Sequence, residues 1–174
     1  MRDLSHIKAF AFDIDGVATN GDVFCSSEGD LLRTYDAKDG FAIRMAVMHG
    51  YPVAVITGGS SDSIRKRMVT SGVKPEDVFL HCRDKREQFA QFCERYALQP
   101  SEVMYFGDDV PDISVMQASG CGVCPSDAVE EVKAIADWVS DYPGGKGCLR
   151  NAIETVLRSQ GNWVFDAVSY KRLF

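Results

Sequence analysis

Short runs of hydrophobic residues alternate along the chain with longer segments in which hydrophobic positions recur every three or four residues. The short runs at 7–12, 53–56, 78–80, 103–106 and 121–123 predict β-strands. The longer segments predict helices over about 41–49, 61–71, 85–96 and 149–159, and another that begins at Asp127, which has capping-box spacing to Glu130. Because strands that alternate with helices form βαβ units, the sequence predicts an α/β protein with a doubly wound, Rossmann-like and mostly parallel sheet.

One segment, at about 17–36, interrupts this alternation. It contains two strand-like stretches, around 23–24 and 31–35, on either side of a polar turn at 27–30. The pattern predicts a β-hairpin that projects just beyond the first strand and is too small to be a domain. We find no repeat or linker that would divide the chain. We therefore expect a single domain over residues 1–174, with a C-terminal tail of about 160–174.

Composition and charge limit the compartment and the partners. Of the 174 residues, 45% are hydrophobic and 25% are charged, as is ordinary for one globular domain. A formal net charge of −6 disfavours nucleic acid or an anionic membrane surface as the main partner. The polar start lacks the hydrophobic stretch of a secretory signal, and no segment looks long and apolar enough to span a bilayer. The six cysteines have scattered spacings that argue against a disulfide framework, so we expect a cytoplasmic protein.

Polar residues follow the predicted strands at the points where the strands end. Asp13 and Asp15 follow the first strand, Thr57 the second, and Asp108 and Asp109 the fourth. In an open α/β sheet, ligands bind outside the carboxyl ends of the strands, so the fold gathers these residues at one edge. Converging carboxylates repel one another unless a cation lies between them. Because no histidine or cysteine accompanies them, the all-oxygen set favours Mg²⁺.

The spacing of these residues suits phosphoryl transfer. Asp13 and Asp15 are two positions apart, so that one carboxylate can attack phosphorus while the other handles the proton of the leaving group. Thr57 and the backbone amides after it, from Gly58 onward, can cradle phosphate oxygens. Lys85 opens the helix after the third strand and can neutralise charge on the transferring group.

These motifs resemble those of the haloacid dehalogenase superfamily of phosphatases, and they occur in the same order. The resemblance rests on Asp13-Ile14-Asp15-Gly16-Val17, Thr57-Gly58-Gly59, Lys85 and Gly107-Asp108-Asp109-Val110-Pro111-Asp112. One such motif alone is weak, whereas four in order at strand ends are specific. The resemblance implies that Asp13 forms an aspartyl-phosphate and that Asp15 protonates the leaving alcohol and then activates water. It also implies that Thr57, Gly58 and Lys85 hold the phosphate.

The resemblance further implies a Mg²⁺ site. Asp108 would bind the ion together with Asp13 and the backbone carbonyl of Asp15. Asp109 and Asp112 would orient the phosphate-binding lysine and the groups around it.

Members of that superfamily usually carry a cap domain, and both positions for a cap are too short here, so the chain resembles the capless branch. Within that branch it most closely resembles the 3-deoxy-D-manno-octulosonate 8-phosphate phosphatase family. The likeness includes the hairpin, Lys38-Asp39-Gly40, Gly58-Gly59 and the loop at 144–147. It implies release of an eight-carbon sugar acid from its phosphate during lipopolysaccharide synthesis. It also implies a homotetramer built by the hairpins, in which the segment around 144–147 or the tail beyond it closes a neighbour's site.

Several alternatives stay open from the sequence. A sister family acts on a nine-carbon sugar acid 9-phosphate and has Glu after the Thr-Gly pair, where this chain has Gly59. Arg67 matches an arginine of the family and is a candidate for substrate contact, although it can also be a solvated side chain. A non-enzymatic phosphoacceptor uses Asp, Thr and Lys in a different order, and an inactive scaffold would have lost Asp13 or Asp15. Cys121 and Cys124 have a metal-like gap without a second pair, so we interpret them as packing residues.

Overall fold

The computed structural model describes residues 3–164. These residues contain eight strands: β1 (Ala9–Phe12), β2 (Phe24–Cys25), β3 (Leu31–Leu32), β4 (Val53–Ile56), β5 (Val78–Phe79), β6 (Val103–Phe106), β7 (Cys121–Cys124) and β8 (Trp138–Val139). Six of them form a parallel sheet in the order β5-β4-β1-β6-β7-β8. The predicted doubly wound α/β class is confirmed. The edge strand β8 was not predicted, because two residues are too few to produce a periodic pattern.

The same described residues contain six α-helices: α1 (Ala37–Met48), α2 (Asp62–Thr70), α3 (Lys85–Arg95), α4 (Ile113–Met116), α5 (Glu130–Lys133) and α6 (Cys148–Ser159). Helix α1 begins earlier than predicted because the carboxylate of Asp36 caps it, accepting the N–H of Lys38 at 2.6 Å. The predicted capping box at Asp127 was wrong. Helix α5 begins at Glu130, and Asp127 instead accepts a hydrogen bond from the N–H of Gly144 at 2.9 Å.

The sheet is buried on both faces, which explains its uniformly hydrophobic strands. In β1, Phe10 and Phe12 face one core, which α1, α2 and α6 cover. Ala9 and Ala11 face the other core, which α3, α4 and α5 cover. The side-chain period of two in a strand therefore sends the two large residues to one layer and the two small ones to the other.

The loop at 144–147 and helix α6 are fixed to the rest of the chain by close contacts. A Cβ added to Gly144 would lie 1.9 Å from the carbonyl oxygen of Gly16. The first turn of α6 is capped by Asp39 of α1, whose carboxylate accepts the N–H groups of Gly147 at 3.1 Å and Arg150 at 2.7 Å. Burial raises the pKa of Asp39 to about 6. The glycines of this loop thus allow it to pack against the loop after β1. Residues 165–174 of the predicted tail lie outside the described residues.

The predicted hairpin is present, but its strands are short. Strands β2 and β3 pair antiparallel through Phe24 with Leu32 and Cys25 with Leu31, and they form a separate two-stranded sheet. Phe24 and Leu32 are exposed. Within residues 3–164, no helix has the combined length and hydrophobicity needed to cross a bilayer.

The topology determines where a ligand can bind. The chain runs from β1 to β4 and β5 on one side, and then crosses to β6 on the other side of β1. Such a reversal of strand order opens a crevice at the carboxyl ends of the two strands. Asp13 follows β1 and Asp108 follows β6, and the N–H of Asp13 donates to the carbonyl of Phe106 at 3.1 Å. The first and fourth motifs therefore meet at this crevice.

Candidate active site

The loop after β1 is tightly closed and carries the first two carboxylates. Gly16 has a φ of +87°, a left-handed conformation that favours glycine. The buried Thr19 closes the loop, donating to the carbonyl of Ile14 from its N–H at 3.0 Å and from its hydroxyl at 3.2 Å. Asp13 accepts the N–H of Ile14 at 2.6 Å. These bonds fix the backbone from which Asp13 and Asp15 project.

Lys85 is the first residue of α3, and its buried ammonium lies between two carboxylates. Its Nζ donates to Oδ2 of Asp13 at 2.5 Å and to Oδ1 of Asp112 at 2.7 Å. Asp112 is itself buried, and it also accepts the hydroxyl of Tyr105 at 2.7 Å and the N–H of Asp108 at 3.3 Å. Asp112 therefore anchors the lysine against Asp13.

Three carboxylates form a compact cluster at the crevice. Asp13, Asp108 and Asp112 each offer an oxygen, and these atoms lie within 4.8 Å of one another. Oδ1 of Asp108 is buried and has no hydrogen-bond partner. Gly16 permits the approach of this group, because a Cβ there would lie 1.9 Å from Oδ2 of Asp108. A buried, unpartnered oxygen in an all-oxygen cluster fits a hard divalent cation such as Mg²⁺.

The electrostatics of the cluster also favour a bound cation. Burial raises the pKa of Asp13, and the charge of Lys85 opposes that shift. Burial also raises the pKa of Asp108 to about 7, with further contributions from Asp112 and Asp13. Burial lowers the pKa of Lys85, but Asp13 and Asp112 outweigh it, so that the pKa is raised overall. One ammonium cannot offset three carboxylates, and a bound cation relieves the excess charge.

An open cavity of about 530 Å³ lies in front of these groups. Its lining comprises Asp13, Asp15, Thr57, Gly58, Gly59, His81, Cys82, Arg83, Lys85 and Pro111. The Thr57 loop is joined to the 81–83 loop, since the N–H of Cys82 donates to the carbonyl of Thr57 at 2.9 Å. The hydroxyl of Thr57 accepts the N–H of Gly59 at 3.1 Å. The structure thus brings Asp13, Asp15, Thr57, Gly58 and Lys85 to one cavity.

Two of the candidate residues lie elsewhere. The carboxylate of Asp109 accepts the N–H of Val110 at 2.7 Å and caps the turn that follows, instead of contacting the lysine. The guanidinium of Arg67 lies 5.7 Å from the ring centre of Tyr35 and lines a separate cleft between α1 and α2. Arg67 takes this path because position 40 is glycine, where a Cβ would lie 2.7 Å from its Nη2.

Asp15 has a close partner that was not predicted from the sequence. Arg33, just after β3, donates from Nε to Oδ1 of Asp15 at 2.5 Å and from Nη2 to Oδ2 at 2.9 Å. The only sequence signal is that Leu31, Arg33 and Tyr35 are alternate residues of an extended segment, so that their side chains lie on the same side of it.

Two further cavity residues were also missed. His81 adopts a left-handed φ of +58°, which is uncommon for a residue other than glycine, and its N–H donates to the carbonyl of Gly59 at 3.1 Å. Arg83 is exposed at the same cavity. The sequence contains no pattern that predicts the left-handed conformation of His81 or the exposure of Arg83 at this cavity.

The fold and this cavity define a class. A carboxylate held against a buried ammonium, a second carboxylate two residues later and an all-oxygen cluster at a sheet crossover are the arrangement of a phosphatase with a haloacid dehalogenase-like fold. A family model described as haloacid dehalogenase-like hydrolase matches residues 50–149. The chain belongs to this family and is an enzyme that hydrolyses phosphoric monoesters, so the phosphoacceptor alternative is set aside.

Particular relatives narrow the class. The chain is 31% identical over 156 residues to 3-deoxy-D-manno-octulosonate 8-phosphate phosphatase KdsC of Escherichia coli (strain K12), a match that covers 90% of this chain and 82% of that protein. A cobalt-bound deoxy-D-mannose-octulosonate 8-phosphate phosphatase of Haemophilus influenzae superposes with a TM-score of 0.89 at 30% identity, covering 98% of this chain and 96% of that one. The 3-deoxy-D-manno-octulosonate 8-phosphate phosphatase of Moraxella catarrhalis, solved with magnesium, phosphate and the sugar acid, superposes with a TM-score of 0.87 at 28% identity. The match covers 92% of this chain and 91% of that one.

Proposed function

We propose that this chain hydrolyses 3-deoxy-D-manno-octulosonate 8-phosphate to the free sugar acid and phosphate, in the cytoplasm and as a step of lipopolysaccharide biosynthesis. The observation that carries the proposal is the ammonium of Lys85 held 2.5 Å from Oδ2 of Asp13 at an open cavity of about 530 Å³. A cavity of this size suits a sugar phosphate. The names of the similar enzymes support the choice of sugar, and six free thiols support a reducing compartment.

In the first chemical step, a carboxylate oxygen of Asp13 attacks phosphorus. The new oxygen–phosphorus bond forms while the bond from phosphorus to the sugar oxygen breaks. Asp15 gives its proton to the departing sugar oxygen, which leaves as an alcohol. Lys85 offsets the negative charge of the transferring group and keeps Asp13 oriented.

In the second step, water hydrolyses the aspartyl-phosphate. Asp15, now ionised, takes a proton from water as the water oxygen bonds to phosphorus. The bond between phosphorus and Asp13 breaks, and inorganic phosphate leaves. The loop after β1 therefore uses one carboxylate for covalent chemistry and the other for proton transfer in both directions.

The residues present fit a Mg²⁺ cofactor. Asp13, Asp108 and the backbone carbonyl of Asp15 would hold it, while Asp112 remains bound to Lys85. When bound, the ion supplies neutralisation of the phosphate charge. We expect excess chelator to stop phosphate release and added Mg²⁺ to restore it; full activity in chelator would rule out the metal.

A screen of sugar-acid phosphates for Mg²⁺-dependent phosphate release tests the substrate. The eight-carbon 8-phosphate should give the highest kcat/KM. The nine-carbon 9-phosphate is the second candidate. Gly59 argues against this substrate, because the family that acts on the nine-carbon ester has Glu at that position. A preference for the nine-carbon ester would transfer the proposal to that substrate.

Substitutions of the two carboxylates test the mechanism. Asp13→Asn should abolish turnover while leaving the fold intact, because an amide cannot attack phosphorus. Asp15→Asn should slow both formation and hydrolysis of the phosphoenzyme, as followed by rapid quench. Substantial activity of Asp13→Asn, with deamidation excluded by mass spectrometry, would refute the assignment.

We also propose that the enzyme is a homotetramer whose open site is completed by the C-terminal tail of a neighbour. Among residues 3–164 no cap domain covers the site, and the exposed side chains of Phe24 and Leu32 on the hairpin offer an apolar surface for assembly. Light scattering measures the assembly. Deletion of the tail after Ser159 should reduce activity on the sugar phosphate more than on a small phosphate ester; unchanged selectivity would contradict closure by the tail.

A further inference from the structure

We propose that Arg33, at the base of the hairpin, is a positioning residue that holds Asp15 in the orientation needed for proton transfer. This inference rests on the proposed function, in which Asp15 carries the proton. It gives the hairpin a chemical task in addition to assembly.

The geometry of the pair is specific. Nε of Arg33 lies 2.5 Å from Oδ1 of Asp15 and Nη2 lies 2.9 Å from Oδ2, so that both carboxylate oxygens are bound. Two parallel hydrogen bonds from a planar guanidinium fix the plane of a carboxylate as well as its position. The Arg33 side chain is 3% exposed, whereas that of Asp15 is 33% exposed. The arginine is therefore buried behind the carboxylate, and the carboxylate faces the cavity.

Arg33 is held in place by two other parts of the chain. Its Nη1 donates to the carbonyl of Leu31 at 3.3 Å, which ties the guanidinium to strand β3. Its Nη2 lies 3.6 Å from the position that a Cβ on Gly59 would occupy, so the arginine packs against the phosphate-binding loop. The hairpin, the Asp15 carboxylate and the phosphate loop thus converge on one side chain.

This arrangement has a consequence for the two proton transfers. In the orientation that Arg33 imposes, the carboxyl group of Asp15 faces the cavity. In the first step its proton passes to the leaving oxygen as the bond from that oxygen to phosphorus breaks, and Arg33 itself neither gains nor loses a proton. Without Arg33, Asp15 would lose the two hydrogen bonds that fix its plane, and productive geometry would be sampled less often.

The test uses leaving groups that differ in their need for a proton. Arg33→Met should slow phosphoenzyme formation about 10- to 100-fold with the most reactive alkyl phosphate from the substrate screen, which is part of the roughly 10²- to 10⁴-fold that positioned acid catalysis contributes. With 4-nitrophenyl phosphate, whose leaving group departs as an anion, the same step should change less than about threefold. Hydrolysis of the phosphoenzyme should slow with both, so that 4-nitrophenolate appears in a burst. Arg33→Lys should restore part of the loss.

Thr34→Ala is the matched control, because Thr34 is exposed in the same segment and should leave both rates unchanged. Light scattering and circular dichroism establish that each variant keeps its assembly and fold. Equal losses in the rate of phosphoenzyme formation with the alkyl and the aryl ester, or no loss with either, would overturn the proposal. If Arg33→Met does not fold, Arg33→Gln takes its place. A wild-type enzyme inactive on sugar-acid phosphates would refute the proposed substrate alone, since phosphoenzyme hydrolysis after 4-nitrophenyl phosphate still tests Arg33.

Discussion

Replacement of Lys85 by Met should destabilise the fold strongly in the absence of divalent ions. The Lys85 side chain is 5% exposed, and its ammonium pairs with the side chains of Asp112, which is 1% exposed, and Asp13, which is 13% exposed. Removing one partner of a buried ion pair leaves an uncompensated buried charge and costs about 3–5 kcal/mol. For a chain of this size that corresponds to a fall in Tm of about 6–20 °C.

Urea unfolding followed by circular dichroism at pH 7 in chelator measures this change. Lys66→Met is the control, since Lys66 is 79% exposed and pairs with Asp62 at 3.0 Å on the surface of α2. That variant should lose no more than about 0.5 kcal/mol. Both substitutions remove one lysine charge, so their difference isolates the effect of burial.

A second substitution tests the physical cause. Asp112→Asn, added to Lys85→Met, removes the uncompensated charge while keeping an acceptor for the hydroxyl of Tyr105, and it should recover part of the lost stability. If Lys85→Met alone lies within about 1 kcal/mol of wild type, the ion pair is not the determinant of stability inferred here.

Three further predictions concern the cavity and its support. Gly16→Ala should abolish the increase in Tm on addition of Mg²⁺, because its Cβ would lie 1.9 Å from Oδ2 of Asp108. Asp39→Asn should flatten the pH dependence of unfolding free energy between about pH 4 and 6, because the folded pKa of Asp39 is raised by burial from 3.8 to about 6. Arg83→Ala should raise KM for the sugar-acid phosphate more than for 4-nitrophenyl phosphate, which lacks a carboxylate, as steady-state kinetics will measure.

The sign of the Asp39 effect follows from proton binding. Between the two pKa values the folded state binds more protons than the unfolded state, so this group lowers stability as pH rises, by at most about 1.4 kcal/mol per pH unit. The destabilising effect of ionised Asp39 is fully present above about pH 6, and it disappears as the pH falls towards about 4. Parallel curves of unfolding free energy against pH for wild type and Asp39→Asn would contradict this. An increase in Tm of Gly16→Ala on addition of Mg²⁺ would contradict the Gly16 prediction. Equal changes in KM for the two substrates would contradict the prediction for Arg83.

Hydrophobic periodicity in the sequence was sufficient to predict the fold class, because each strand of a parallel sheet covered on both faces is a continuous apolar run. It was also sufficient to gather Asp13, Thr57, Lys85 and Asp108 at one edge. The carboxyl ends of parallel strands coincide whatever the strand order, so residues that follow such strands meet without further information.

The sequence could not assign the contacts that depend on the paths of loops. Asp127 and Glu130 have capping-box spacing, yet Asp127 binds Gly144 because that loop passes beside it. Asp39 caps a helix that begins more than a hundred residues later, with a separation of 108 positions to Gly147. Local patterns carry no signal for such pairs, since their partners are brought together only by the packing of α1 against α6.

The sequence by itself therefore determined the fold class, the order of the motifs and the kind of chemistry. The tertiary structure alone decided which side chains support that chemistry: Arg33 reaches Asp15 from 18 residues away because the hairpin folds back over the loop after β1. It also decided that Arg67 lies in a neighbouring cleft, because glycine at position 40 leaves space for its guanidinium there. Strand ends are fixed by local periodicity, whereas the direction of a long side chain is fixed by what packs around it.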